Sequence, residues 1–221
     1  YGLLFVIMGY MMVYLVEGQF QYALAMTTGF LLAGPFLAMG LYDISRRLEA
    51  GESATLGHAL TAWRHNALPI FLFGVVIGLL MIIWARLSAA LFGVIVGGRD
   101  LSLDSSAAQI FFSGSGLTFL LVFTVVGAII AAAVFAISVV SIPMMLDRKT
   151  DFITAILTSL TAVRANPAPM ALWAVLIVIF TGIGLMTFYL GLAIALPLIG
   201  HATWHAYRSL VEDSDLEQQP L

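Results

Sequence analysis

The chain has 221 residues, 62% of them apolar, with a mean hydropathy of +1.05, 10% charged residues and a formal charge of −3. A water-soluble fold of this size carries about 25% charge and could not cover its surface with so little polar area, while disorder is excluded by the apolar content. The lack of cysteine removes disulfides, thiolate chemistry and cysteine-ligated metal centres, and the charge carries no nucleic-acid signature.

A bilayer core requires about 20 apolar residues of helix. In chain order, Tyr1–Val16 is an apolar run, expected to be the remainder of a span whose natural start lies upstream. Tyr22–Tyr42, Ala67–Val96 and Gly116–Leu146 follow as full spans, and Met170–Tyr207 is long enough for a pair divided by a tight turn near Thr187–Gly191. One tilted helix with an interfacial piece is the alternative for that last stretch. Six spans result. Arg86, inside the third, is expected to snorkel to the outer interface as an anchor.

Basic residues set the orientation. Arg46, Arg47 and Arg64, then Arg148, Lys149 and Arg164, and finally Arg208 fall on one side if six spans alternate. Arg99 and Arg86 fall on the other, offset by Glu17, Asp100 and Asp104. The arginine-rich side is therefore expected to be cytoplasmic, with both termini inside. Residues 212–221 read as a polar cytoplasmic tail.

Two of the polar segments resemble one another at an offset of one hundred. Leu60-Thr-Ala-Trp-Arg-His-Asn-Ala-Leu-Pro69 aligns with Leu160-Thr-Ala-Val-Arg-Ala-Asn-Pro-Ala-Pro169, with six of ten positions identical. Arg64, Asn66 and Pro69 match Arg164, Asn166 and Pro169. The stripe Leu56, Leu60, Trp63 matches Ile156, Leu160, Val163, with Thr55, His58 and Arg64 (or Thr154, Thr158 and Arg164) toward the other side. This predicts a short amphipathic helix at the interface before a span, N-capped by Ser53 in one copy and Asp151 in the other. Each Asn suits a C-cap, and the prolines redirect the chain into the membrane helix.

Pro35, Pro143 and Pro197 sit several residues before the cytoplasmic ends of returning spans, where proline bends a helix. The expected architecture is an all-α polytopic membrane bundle of three helical hairpins. Its parallel repeat-like units are 1–47, 53–149 and 151–211, within one transmembrane domain at 1–211.

Chemistry-bearing groups are few. His58, His65, His201 and His205 all lie near the cytoplasmic interface, and His201 and His205 are one helical turn apart, a spacing compatible with a divalent metal. The alternative is that these histidines cap and pair helix ends, with Trp204 and Tyr207 in the aromatic belt. No catalytic constellation and no cofactor are expected otherwise. Gly74-x-x-x-Gly78 and Gly93-x-x-x-Gly97 favour close helix contact, within the bundle or with a partner.

Gly34-Pro-Phe-Leu-Ala-Met-Gly-Leu-Tyr-Asp-Ile-Ser-Arg-Arg-Leu-Glu49 resembles one signature of the integral membrane family called domain of unknown function 2189, some members of which are labelled putative cytochrome c oxidase subunits. Ala62–Asn66, Ala162–Pro167 and Gly200–Tyr207 resemble its other signatures. The resemblance implies a bacterial inner-membrane location and no established activity. A catalytic haem–copper subunit needs more histidines, buried in spanning helices, than the four here. The expected function is a non-enzymatic accessory, assembly or structural subunit of a larger membrane complex, a respiratory one being the candidate that the family label offers. Its partners would be the lipid bilayer and other membrane subunits. The alternative is a small-solute or ion transporter or channel, with Thr27, Thr28, Ser138 and Ser141 lining a wet path.

Overall fold

A computed structural model describes residues 2–15, 38–96 and 113–217, and every regular element among them is helical. They are α1 (Gly2–Leu15), α2 (Met39–Glu49), α3 (Leu56–Thr61), a 3-10 turn (Ala62–Asn66), α4 (Ala67–Ile95), α5 (Gly114–Ser138), α6 (Ser141–Arg148), α7 (Phe152–Ala165), α8 (Pro167–Met186) and α9 (Leu192–Glu217). Three stretches are long and apolar enough to cross a membrane: Leu56–Ile95, Gly114–Arg148 and Pro167–Met186. In lipid a helix satisfies its own backbone, so sequences this poor in side-chain polarity adopt it. With 29 residues, α4 is about 43 Å long, longer than the roughly 30 Å hydrocarbon core.

The predicted spans Ala67–Val96 and Gly116–Leu146 correspond to α4 and to α5 with α6. Met170–Tyr207 is split into α8 and α9, and the intervening turn covers Thr187–Gly191 as the sequence indicates. The Thr187 hydroxyl stays within this turn, donating to the carbonyls of Ile183 and Gly184 and accepting from the Gly191 amide. A Cβ on Gly191 would lie 2.9 Å from the Gly184 Cα, so the hairpin closes glycine against glycine. Of the expected span Tyr22–Tyr42, residues 22–37 lie outside the described residues, and the expected kink at Pro35 with them.

The other two prolines act differently from one another. Pro143 does not sit at a kink inside a continuous helix. Helix α5 ends at Ser138, Val139 and Val140 form a turn, and Pro143 lies in the first turn of α6. The break falls at residue i−4, whose carbonyl would have met the missing proline N–H. Pro197, in contrast, is held inside α9, which continues on both sides of it. The carbonyl it leaves without a helical donor belongs to Ala193, and Gly2 packs there so closely that a Cβ would strike the Ala193 backbone.

Two compact units emerge: Tyr1–Met8 with Gly34–Val75 and Phe135–Leu221, and Gly9–Ala33 with Val76–Val134. In the second, α4 and α5 meet through aromatic rings. Trp84 is buried with its ring centroid 4.8 Å from that of Phe123, and Phe119 bridges Phe123 to Phe92. Gly127 leaves room for the Trp84 ring, which a Cβ there would approach to 3.1 Å. In the first, α2 packs on α9, α3 and α6, while α7 packs on α6. Gly200 lets α9 approach Leu41 of α2, and a Cβ would come within 2.6 Å of that side chain.

Candidate functional site

The first unit gathers most of its polar groups where α2, the 3-10 turn, α6 and the second half of α9 pack together. Its centre is Asp43, fully buried on α2. Arg46 Nη2 and Nε donate to Asp43 Oδ1 at 2.7 and 3.1 Å, and Arg47 Nε donates to Oδ2 at 3.0 Å. Spacings of three and four residues bring these side chains together along one helical turn. Burial opposes ionisation of Asp43, but the hydrogen bonds and positive charge of Arg46 and Arg47 outweigh it and hold the carboxyl below its ordinary value. Arg47 continues to Glu52 at 3.0 Å.

Helix α9 supplies the facing groups. His201 Nδ1 lies 2.6 Å from the Ser45 hydroxyl, and the Tyr207 hydroxyl donates to Asp147 Oδ2 of α6 at 2.9 Å. Arg208 reaches Glu49 at 3.4 Å and Asp147 at 3.6 Å, and His205 lies 3.3 Å from Glu49. Three helices are thereby cross-linked by ion pairs and hydrogen bonds. The sequence points to His201 and His205 at this boundary, as metal ligands or as groups that pair helix ends, but not to Asp43, Ser45, Glu49 or Asp147 as their neighbours. The Asp43, Arg46, Arg47 spacing is the one local signal that could have revealed the cluster; the links between α9 and α2 or α6 span 60 to 159 residues and leave no local trace.

The histidines do not converge. His65 Nδ1 faces the Ala62 carbonyl at 3.1 Å and Nε2 lies 3.4 Å from Arg46; His201 and His205 address Ser45 and Glu49. His58 Nδ1 is buried without a hydrogen-bond partner. Among the described residues no group of three or more histidines and carboxylates is placed to hold a metal ion.

The paired motif is also used unequally. Thr55, not Ser53, N-caps the first amphipathic helix, its hydroxyl accepting from the His58 amide, because the helix starts two residues later than the sequence suggests. Asp151 caps α7 as expected, accepting from the Ile153 and Thr154 amides; the Thr154 hydroxyl foremost, and then these amide bonds, hold its carboxyl low. Asn66 is no C-cap: it ends a 3-10 turn that runs straight into α4, and its amide donates instead to the carbonyls of Met145 and Thr150, at 3.1 and 2.8 Å. Asn166 does cap α7, and its amide reaches Ala162 of its own helix. Pro69 lies in the first turn of α4, Pro167 is the first residue of α8, and Pro169 follows in the same turn.

The polar faces differ from expectation as well. In the first segment the 3-10 winding swings Arg64 onto the stripe, its guanidinium 5.5 Å over the Trp63 ring. In the second, Ile156, Leu160 and Val163 are half-buried, and Arg164 is exposed along with Ile153 and Leu157. The faces turned to the protein are small: Ala59 and Ala62 in one segment, Ala155 and Ser159 in the other. The Ser159 hydroxyl donates to the Ala136 carbonyl and accepts from the Val140 amide, satisfying the backbone where α5 breaks.

Of the hydroxyls expected along a wet path, Ser138 and Ser141 are buried and donate to the carbonyls of Phe135 and Ile137 on the preceding turn. Thr27 and Thr28 lie outside the described residues. Gly78 and Gly93 of the small-residue patterns meet no described atom within 4 Å of where a Cβ would stand.

Apolar helices of spanning length, with Arg86 the one charged residue inside α4, α5 and α8, define an integral membrane protein of the all-α class. The chain belongs to the family of predicted integral membrane proteins called DUF2189, whose match covers residues 23–147, more than half of its length. No curated protein and no solved structure matches it.

Proposed function

We propose that this protein is a non-enzymatic structural or assembly subunit of a larger complex in the bacterial inner membrane, its arginine-rich helix ends toward the cytoplasm. The observation that carries this reading is the open helix face of α4. Gly78 and Gly93 offer close backbone approach that no described part of this chain uses, and close approach of small residues is how membrane helices associate. Large apolar side chains such as Leu79 and Ile83 stand exposed beside them. The polar groups of the first unit are meanwhile engaged with one another, as befits a rigid frame. The oxidase label within the resembling family supports a respiratory complex as the assembly.

Extraction in a mild detergent at native expression level tests the reading. A stoichiometric membrane partner is expected to co-migrate, and Gly78→Leu with Gly93→Leu is expected to release it. A chain that migrates without a partner overturns the reading, and a solute-selective flux in liposomes holding the purified chain would install the transporter alternative.

A further inference from the structure

Basic residues cluster near the ends of helices in the first unit, and two kinds stand apart. Arg46, Arg47 and Arg208 are committed to Asp43, Glu49, Glu52 and Asp147. Arg64 and Arg164, the matched pair of the repeated motif, are exposed and have no ion pair among the described residues. Each stands beside an apolar face that no described residue covers. Leu56 is 59%, Leu60 55% and Trp63 47% exposed next to Arg64; Ile153 is 57% and Leu157 59% exposed on the helix that carries Arg164. At 100° per residue, positions 153, 157, 160 and 164 fall within about 60° of arc, so Arg164 continues that apolar face.

Leucine, isoleucine and tryptophan left open along a helix that adjoins a spanning segment are suited to the acyl and glycerol layer of a leaflet. The opposite, alanine- and serine-bearing faces pack against the protein, which fixes how far each helix can rotate. An arginine at the end of such a helix sits at phosphate depth, and its fork matches a phosphate oxygen pair. Both segments contact the same short helix α6, the first through its 3-10 turn and the second directly, and each leads immediately into an apolar helix. We infer that Arg64 with Trp63, and Arg164 with Ile153 and Leu157, are two matched binding sites for anionic phospholipid, gripping the headgroup phosphate beside an embedded apolar stripe. This goes beyond the subunit reading and does not depend on it.

Titration of the detergent-solubilised full chain with phosphatidylglycerol or phosphatidylcholine, read by native mass spectrometry, tests the inference. Phosphatidylglycerol is expected to bind more tightly than phosphatidylcholine. Each of Arg64→Gln and Arg164→Gln is expected to weaken one of the two sites about fivefold and leave the other intact, and the double variant is expected to weaken both about fivefold, the equivalent of roughly 1 kcal/mol per arginine near an anionic surface. The charge-preserving pair Arg64→Lys with Arg164→Lys is expected to keep the preference for the anionic lipid. Equal affinity of the wild type for both lipids, or unchanged phosphatidylglycerol binding in the double glutamine variant, overturns the inference. Loss of a bound protein from that variant with lipid binding intact also overturns it and assigns the face to a protein.

Discussion

Asp43 shows how a single carboxylate can be both costly and necessary. Placing it out of reach of water carries a desolvation penalty, offset here by three hydrogen bonds from two guanidinium groups. Those guanidinium groups keep partial access to water, so their side of the pairing is the cheaper one to break. Asp43→Asn, which removes the charge but little volume, is expected to destabilise the protein by about 3 kcal/mol, read as a lower thermal unfolding midpoint in a fixed detergent. The pH dependence follows from the same group. Its carboxyl is held below 3.8 in the folded state, so its stabilising contribution is complete well above that value. It fades as pH falls through 3.8 and is gone below the folded pKa. The gap in unfolding midpoint between wild type and Asp43→Asn should therefore be widest near neutral pH and close on acidification. Asp151 is shifted in the same direction, but it titrates in both proteins and cancels from the comparison.

Among the elements, α6 depends most on help from outside itself. It has eight residues, is isolated from α5 by the Val139–Val140 break, and ends at Lys149 with φ +49°, a left-handed conformation that costs a non-glycine residue about 1 kcal/mol. The Asn66 amide spans that ending by holding the carbonyls of Met145 and Thr150. Asn66→Ala is expected to cost about 2 kcal/mol and to speed amide hydrogen exchange around Lys149–Asp151. Asn166→Ala removes a bond within its own helix and is expected to cost about 0.5 kcal/mol with no effect on that segment. The two asparagines occupy matching places in the sequence, and nothing local distinguishes them. The difference arises because the first helix tightens into a 3-10 turn, which rotates Asn66 away from its own helix and toward α6. Length, apolar runs and the Thr187–Gly191 turn were readable because membrane helices and tight turns are local in the chain. The knot around Asp43 was largely not, because Ser45 and His201, or Tyr207 and Asp147, meet through tertiary packing alone. The helix starts after Thr55 rather than after Ser53, although both are competent caps, so a two-residue offset is all that local sequence leaves open.

For the molecule as a whole, the inventory of charge implies a division of labour. Among the described residues, Arg208, His205, Glu49 and Asp147 join α2, α6 and α9, Arg46 and Arg47 hold Asp43 within α2, and the apolar exterior of α4, α5 and α8 is left to its surroundings. The protein thus combines one well-braced cluster of helix ends with long greasy helix surfaces. The closed bend between α8 and α9 has a topographical corollary. Phe188 and Tyr189 both adopt positive φ there, and α9 doubles back along α8 with no slack for an excursion. The loop at Thr150 and the far end of α9 are consequently bound to share a compartment, whichever compartment that is. A membrane-impermeant thiol reagent should label Thr150→Cys and Ser209→Cys in the same vesicles and spare both in inverted ones. Parity of this kind is a matter of chain geometry, and it would survive even a wholesale flip of the protein in its bilayer.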